Sequence, residues 1–320
     1  MTVQEAVTGF LTGYFSTCRR SEKTHAAYRI DLAQLQAHLG STPFPEIKVD
    51  QLEQWATEMR ARGYASISIR RKFATAKVFF RYWVRRGLIE RSPLWKIRLD
   101  LGCERVLPRN LPASDAKKMI EQVWRAIGTS APQVQLPSDT RFLRLRDLAA
   151  LEILFATGMR VGELVKLKLR DWIEDDASFV VNGKGSRQRL ALLPDSRSLR
   201  ALTMYLTCRA TLNLAHEGLL VNAAGAAIST QGVARLLAKS ADAAGVTTRV
   251  TPHMIRHTVA TLLLRNGADI RIVQEVLGHA SIATTQRYTH ISKEHLFSTL
   301  RLRHPSQHLD IQYPITLAPT

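Results

Sequence analysis

Residues 251–260 read TPHMIRHTVA, and the arrangement of this stretch decides how the rest of the chain is read. Thr251 followed by Pro252 is a helix start, because proline is tolerated at the first helical position, where its missing N–H would be unpaired anyway. At 3.6 residues per turn, His253, Arg256 and His257 share one face, while Ile255, Val259, Leu262 and Leu263 fall on the other and can bury. A cationic, imidazole-bearing face can hold a metal, hold an anion or simply meet solvent. Zinc fits poorly. Met254 stands where the H-E-x-x-H pattern carries its base, and the Arg256 guanidinium between the histidines repels a divalent cation. An anion near the helix N-terminus would be favoured by the helix dipole and by Arg256. A capped surface helix with solvated histidines remains the plain alternative.

Downstream, LGHASIATTQRYTH (277–290) supplies His279 and Tyr288. Upstream, TGMRVGEL (157–164) places Arg160 just after a break at Gly158, with Glu163 one turn on. Between them, SFVVNGKGSRQRLALLP (178–194) is an apolar run, a glycine-rich turn and a second apolar run, the pattern of a β-hairpin with Lys184 in its turn. NGKGS lacks the G-x-x-x-x-G-K-[ST] frame, so it is no P-loop, and a lone turn lysine is ordinarily just solvated. Glu174, Asp175 and Asp176 precede the hairpin and read as a solvated turn rather than a metal site. Helical patterns are expected at 113–123, over 141–172 with the break near Gly158, and at about 195–215, 230–244, 252–267, 269–277 and 281–288. A loop lies at 128–140.

The first hundred residues also read as helices. SEKTHAAYRIDLAQLQAHLG opens on a Ser21 cap candidate, carries Ala27, Ile30 and Leu35, and stops at Gly40. VDQLEQWATEMRARG ends at Gly63, and SISIRRKFATAKVFFRYWVRRG ends at Gly87. In the last, Phe73, Ala76, Phe80 and Val84 mark a buried stripe. Arg70, Arg71, Lys77, Arg81, Arg85 and Arg86 make the remaining surface positive, preceded by Arg60 and Arg62. A merely solvated charged face usually brings acids for i,i+4 pairing. The run 66–87 contains none, which favours a surface facing DNA phosphates. LDLGCERVLPRNLPAS then reads as a linker, so the expected organisation is a helical domain over 1–98, a linker over 99–112 and a second domain over 113–320.

The chain as a whole allows this. Its 320 residues suffice for two ordinary domains, and 45 Lys and Arg against 27 Asp and Glu give a formal net charge of +18, which suits a polyanionic partner. No apolar run is long enough to span a membrane, and the first residues lack a signal-peptide pattern, so a cytoplasmic protein is expected. Cys18, Cys103 and Cys208 are isolated, which argues against a disulfide framework or paired metal motif.

Taken together, these motifs resemble the tyrosine recombinases, or phage-type integrases, and especially their Xer-like bacterial members. HMIRHTVATLLLRNGADIRIVQEVLGHASIATTQRYTH follows the family's H-x-x-R-H, L-G-H and Y-T-H blocks in order, and ATGMRVGELVKLKLRDW follows its first arginine block. The departures are small: Met254 and Ile255 precede Arg256 where leucine is frequent, and Val259 replaces a frequent phenylalanine. The resemblance implies a mainly α fold with a small antiparallel hairpin or sheet. A helical core-binding domain would precede a mixed α/β catalytic domain whose tail, from about residue 291, is exchanged between protomers. It implies Tyr288 as nucleophile, Arg160 and Arg256 as a phosphate clamp, Lys184 as proton donor to the leaving oxygen, and His253 and His279 assisting. Glu163 would support Arg160, and His257 would be structural. It further implies double-stranded DNA with specific sites as substrate, a homo-oligomer, tetrameric on DNA, a related recombinase as an optional second subunit, and no metal or cofactor.

The chemistry is coherent without the family name. Two arginines can stabilise the charge that grows on a phosphodiester under attack, a task often left to metal ions. A tyrosine hydroxyl titrates near about 10 unless perturbed, so cationic and imidazole neighbours are needed for attack at neutral pH. The phosphotyrosine ester would keep much of the bond energy, so resealing needs no ATP. Relaxation of DNA by a type IB topoisomerase-like activity, or DNA binding without cutting, are the competing readings.

Overall fold

Thr2 and Glu5 start the first helix, α1 (Val3–Thr17), by a reciprocal cap: the Glu5 amide donates to Thr2 Oγ1 at 3.1 Å, and the Thr2 amide donates to Glu5 Oε2 at 2.8 Å. The structure, a computed structural model, describes residues 1–18, 22–97, 99, 110–127, 134–183, 188–212, 214–278 and 293–313, without the side chains of 23 and 293–295. Ser21, Lys184, His279, Tyr288, most of the expected linker and the helix expected at 281–288 lie outside these residues. The chain divides into two compact units, Met1–Arg105 and Val106–Thr320, a division that falls within 99–112.

In the first unit α1 is followed by α2 (Glu22–Leu39), α3 (Val49–Ala61) and α4 (Ser66–Arg85), with chain reversals at Gly40, Gly63 and Gly87. Phe10, Leu35, Leu52, Phe73, Phe79 and Phe80 fill the core, and aromatic edges meet faces within it, as between Phe10 and Phe79 at 5.4 Å. Phe73, Ala76 and Phe80 of the expected stripe are buried, and Val84 is half-buried. Ile30, one of the apolar positions of α2, is exposed. The inward position beside it belongs to Asp31, which is 1% exposed and accepts from Arg71 at 2.6 Å, Lys72 at 3.1 Å and Thr75 at 3.0 Å. A buried carboxylate is tolerated because these donors surround it.

The second unit is built around α6 (Thr140–Thr157), which is buried on almost every side from Leu148 to Thr157, as a helix apolar all round must be. Against it pack α5 (Ala113–Arg125), α8 (Ser196–Thr211), α9 (Thr230–Ala243) and α10 (Pro252–Arg265). Its one buried acid, Glu152, accepts from Trp124 Nε1 at 2.7 Å and from Arg197 Nε at 2.7 Å. The long helical run breaks at Gly158, whose φ of 58° is left-handed, and resumes as the short α7 (Val161–Leu164). Strands β1 (Trp172–Ile173), β2 (Ser178–Asn182) and β3 (Gln188–Leu192) form one antiparallel sheet in that order, with Asn182 opposite Gln188 at the hairpin end. The acidic cluster occupies the β1–β2 turn, with Glu174 and Asp175 exposed.

Helix α11 (Ile270–Leu277) follows α10, and α12 (Lys293–Arg303) opens the tail. In this single chain the tail lies against its own unit. Leu300 and Ile311 join the core, Tyr313 meets Trp124 at 5.3 Å, and Asn266 and Arg303 exchange hydrogen bonds of 3.0 and 3.2 Å. Among the described residues no helix is long and apolar enough to cross a membrane.

Candidate active site

Helix α10 starts as its sequence dictates, with the Met254 amide donating to Thr251 Oγ1 at 3.2 Å and Pro252 in the first turn. The helix is not the surface element that one reading of its sequence allowed. Arg256 is only 7% exposed, beside Ile255 and Val259. Its Nη1 donates to the Gly158 carbonyl at 2.8 Å and its Nη2 to the Leu277 carbonyl at 2.7 Å. His253 is exposed at the same end of the helix, and His257 is half-buried.

Arg160 joins Arg256 from the break between α6 and α7. Its amide donates to Glu163 Oε2 at 2.9 Å, its Nη1 to Glu163 Oε1 at 2.9 Å and its Nη2 to the Gly278 carbonyl at 3.2 Å. Glycine is favoured at 158 by its left-handed backbone, and a Cβ there would lie 2.7 Å from Leu277 Cδ2, so that side chain would have to shift. This close approach brings the Gly158 carbonyl and the end of α11 to the same guanidinium. A phosphate placed here would meet two arginines already fixed by backbone oxygens, one of which keeps a 41% exposed side chain.

The electrostatics match an anion site. Burial pushes the Arg256 pKa down to about 10, helped by the neighbouring charge of Arg160 and opposed by Glu163. For Glu163, burial acts upward but is outweighed by hydrogen bonds from Arg189 and from the Arg160 amide, so its carboxyl is held below the ordinary value. Arg189, on β3, was not singled out by sequence reasoning. It lies opposite Val181 with an 8% exposed side chain. Strand parity carried a signal, since Val181 and Phe179 on that side are buried.

Of the residues expected in the site, Arg160, Glu163 and Arg256 come together. Lys184, His279 and Tyr288 lie outside the described residues; in sequence Lys184 falls between β2 and β3, and His279 follows Gly278, the residue after α11. In the other unit, Arg70, Arg71, Lys77, Arg81 and Arg85 on α4 and Arg86 at its C-terminal cap are all exposed. Arg71 is also ion-paired to Asp31, and Arg86 lies over the Tyr82 ring at 4.7 Å. The acids absent from α4 are thus supplied in part by α2.

Comparison with known proteins identifies the family. Residues 132–295 match the phage integrase family, and residues 7–87 match the phage integrase N-terminal SAM-like domain. A tyrosine recombinase from Agathobacter rectalis is 32% identical over 303 residues, covering 95% of this chain and 97% of its own. Tyrosine recombinase XerC from Alcanivorax borkumensis is 33% identical over 304 residues, 94% of each chain. Lambda integrase shares the fold. Its dimer bound to a COC' core site matches at 19% identity with a TM-score of 0.67, over 91% of this chain and 100% of that one. Its tetramer bound to a Holliday junction matches at 20% identity and the same TM-score of 0.67, over 90% and 80%. Matched over most of its length by the two bacterial recombinases, the chain belongs to the phage integrase family and is a tyrosine recombinase of the Xer type.

Proposed function

We propose a division of labour for the site-specific strand transfer that this recombinase carries out. Tyr288 Oη attacks the scissile phosphorus, forming a 3'-phosphotyrosine bond as the bond to the 5' oxygen breaks. The tyrosine proton passes to the imidazole pair, His253 and His279, and Lys184 protonates the leaving 5' oxygen. Arg160 and Arg256 hold the non-bridging oxygens while charge builds on them, Glu163 holds Arg160, and His257 supports the helix. The reverse attack, by the 5' hydroxyl of a second strand, reseals the DNA and frees Tyr288. The observation that carries this reading is the convergence of Arg160 and Arg256 on the adjacent carbonyls of Gly278 and Leu277, directly before His279.

Arg70, Arg71, Lys77, Arg81, Arg85 and Arg86 hold the backbone of double-stranded DNA at the recombination site, in the cytoplasm. On DNA the protein works as a homo-oligomer, a tetramer at the junction stage, with a related recombinase able to take the second position. The tail from about residue 291 then leaves its own domain for that of a neighbour. Because the charge needed at the phosphate is supplied by side chains, a chelator is expected to leave cleavage unchanged.

The test is a nicked suicide substrate from which the short product diffuses away after cleavage. Wild-type protein is expected to accumulate a covalent protein–DNA band, and Tyr288→Phe to bind the same DNA without forming one. An adduct in Tyr288→Phe would remove Tyr288 from the role of nucleophile.

A further inference from the structure

Three successive carbonyls at the end of α11 each receive an arginine. Val276 O accepts from Arg189 Nε at 3.2 Å, Leu277 O from Arg256 Nη2 at 2.7 Å, and Gly278 O from Arg160 Nη2 at 3.2 Å. These are the carbonyls a helix end leaves without intrahelical partners, at the negative pole of its dipole. Two of these arginines also bind one acid, Glu163. Glu163 Oε1 accepts from Arg160 Nη1 at 2.9 Å, and Glu163 Oε2 accepts from Arg189 Nη2 at 2.8 Å.

We infer that Arg189 is a positioning residue for strand transfer, which offsets the charge of Glu163 and locks the end of α11 so that Arg160 and Arg256 stay available to phosphate. The inference rests on the proposed role of those two arginines. It adds a residue that touches no substrate in that scheme.

Charge balance is the first reason. Three guanidiniums and one carboxylate leave two net positive charges in the cluster. Without Arg189, Glu163 would pair with Arg160 alone, one net charge would be lost, and the carboxylate would compete with phosphate for the exposed arginine. Geometry is the second. Arg189 binds through two points, Nε on α11 and Nη2 on Glu163, a fork that lysine cannot reproduce. It is thereby tied at once to β3, to the α7 start that carries Arg160, and to the residue three positions before His279. The third is the space kept for it. Gly278 has a left-handed φ of 62°, and a Cβ at that position would lie 3.0 Å from both Cδ and Nε of Arg189. Burial to 8% exposure excludes a purely solvated surface cation. Hydrogen bonding from Arg189 also heads the influences that lower the Glu163 pKa against burial.

The experiment measures single-site binding and adduct formation on the suicide substrate with full-length protein. Arg189→Gln is expected to bind within about threefold of wild type yet form adduct on the order of 10–100-fold more slowly, less than the ~10²–10³ lost with a direct donor. Arg189→Lys, which keeps the charge but loses the fork, should fall between the two. The decisive variant is Arg189→Gln combined with Glu163→Gln, which restores two net positive charges. It should form adduct faster than Arg189→Gln alone, whereas a purely structural role makes the double variant as slow or slower. Three results overturn the inference: wild-type rate in Arg189→Gln, a lysine variant no faster than the glutamine one, or a double variant no faster than the single. Absence of adduct in wild type would instead strike the proposed function itself.

Discussion

Helix α4 and the end of α11 both gather arginines, and they treat them in opposite ways. On α4, Lys77, Arg81 and Arg85 recur every four residues along one exposed side, where rotamers are free and charge is screened by solvent. Around α11, Arg160, Arg189 and Arg256 are held by carbonyls and by Glu163, with little freedom left. Loose cations on a surface attract a polyanion and follow its backbone, giving affinity that falls with salt. Fixed cations in a desolvated site discriminate between a phosphodiester and its transition state, giving rate. In the proposed scheme the same residue type does two jobs because the backbone around it differs.

Arg71 sits between these extremes, exposed yet tied to a buried acid, and it tests whether the division is real. Removing that acid should produce the largest effect. Asp31→Ala leaves Lys72, 3% exposed, without its partner, and breaking a buried pair in this way costs about 3–5 kcal/mol. Urea unfolding of the variant should show a loss of this size. A loss under about 1 kcal/mol, as for a surface pair, would place Asp31 and Lys72 with the loose set.

Next in size is the site itself. Arg256→Ala and Arg160→Ala should each slow adduct formation by about 10²–10³ while leaving single-site binding nearly intact. Arg256→Lys should recover little, since one ammonium cannot reach both the Gly158 and Leu277 carbonyls and a phosphate. Losses seen only in binding would mean that these arginines act like those of α4.

Much of this was legible in the chain. Glycines mark the helix ends at 40, 63 and 87, and the arginine and histidine blocks name most of the proposed site. The illegible part has physical causes. A helical wheel groups Arg256 with His253 because it knows only the helix, whereas the burial of Arg256 is set by carbonyls 98 and 21 residues away. Asp31 is not marked by the sequence as buried, because its partners lie on α4, 40 or more positions on. Arg189 was hidden in an apolar strand, where only parity with Val181 betrays an inward side chain. Strand β1, two residues long, offers no period to read, whereas the T-x-x-E cap of α1 was present and was passed over.

Burial also leaves a titration signature on the second unit. His304, 1% exposed in the tail, has its pKa lowered to about 4 by burial, against an opposing pull from Asp195. A histidine buried neutral binds fewer protons than in the unfolded chain between about 4 and its ordinary 6.5, so stability rises with pH across that window and falls on acidification. Between pH 7 and pH 5 the loss from this group should be about 1–2 kcal/mol. His304→Gln should flatten the slope, read by urea unfolding at each pH. An unchanged slope would show that His304 is not buried in solution and that the tail is undocked there.

The smallest expected effect belongs to a single loose cation, and it is the most exacting check on the comparison. Arg81→Ala removes one exposed charge from α4 and touches no buried partner of the core. If Arg81 neutralises one phosphate, log K plotted against log salt should become shallower by about 0.9, the counterion release of one contact on duplex DNA. Affinity should fall alike on cognate and unrelated duplexes, because a backbone contact carries no sequence information. Once the DNA is saturated, the rate of adduct formation should match wild type. A variant that bound normally but cleaved slowly would move Arg81 into the fixed class, and α4 could no longer be read as a surface that only holds DNA. An unchanged salt slope would remove Arg81 from the phosphate-facing surface altogether.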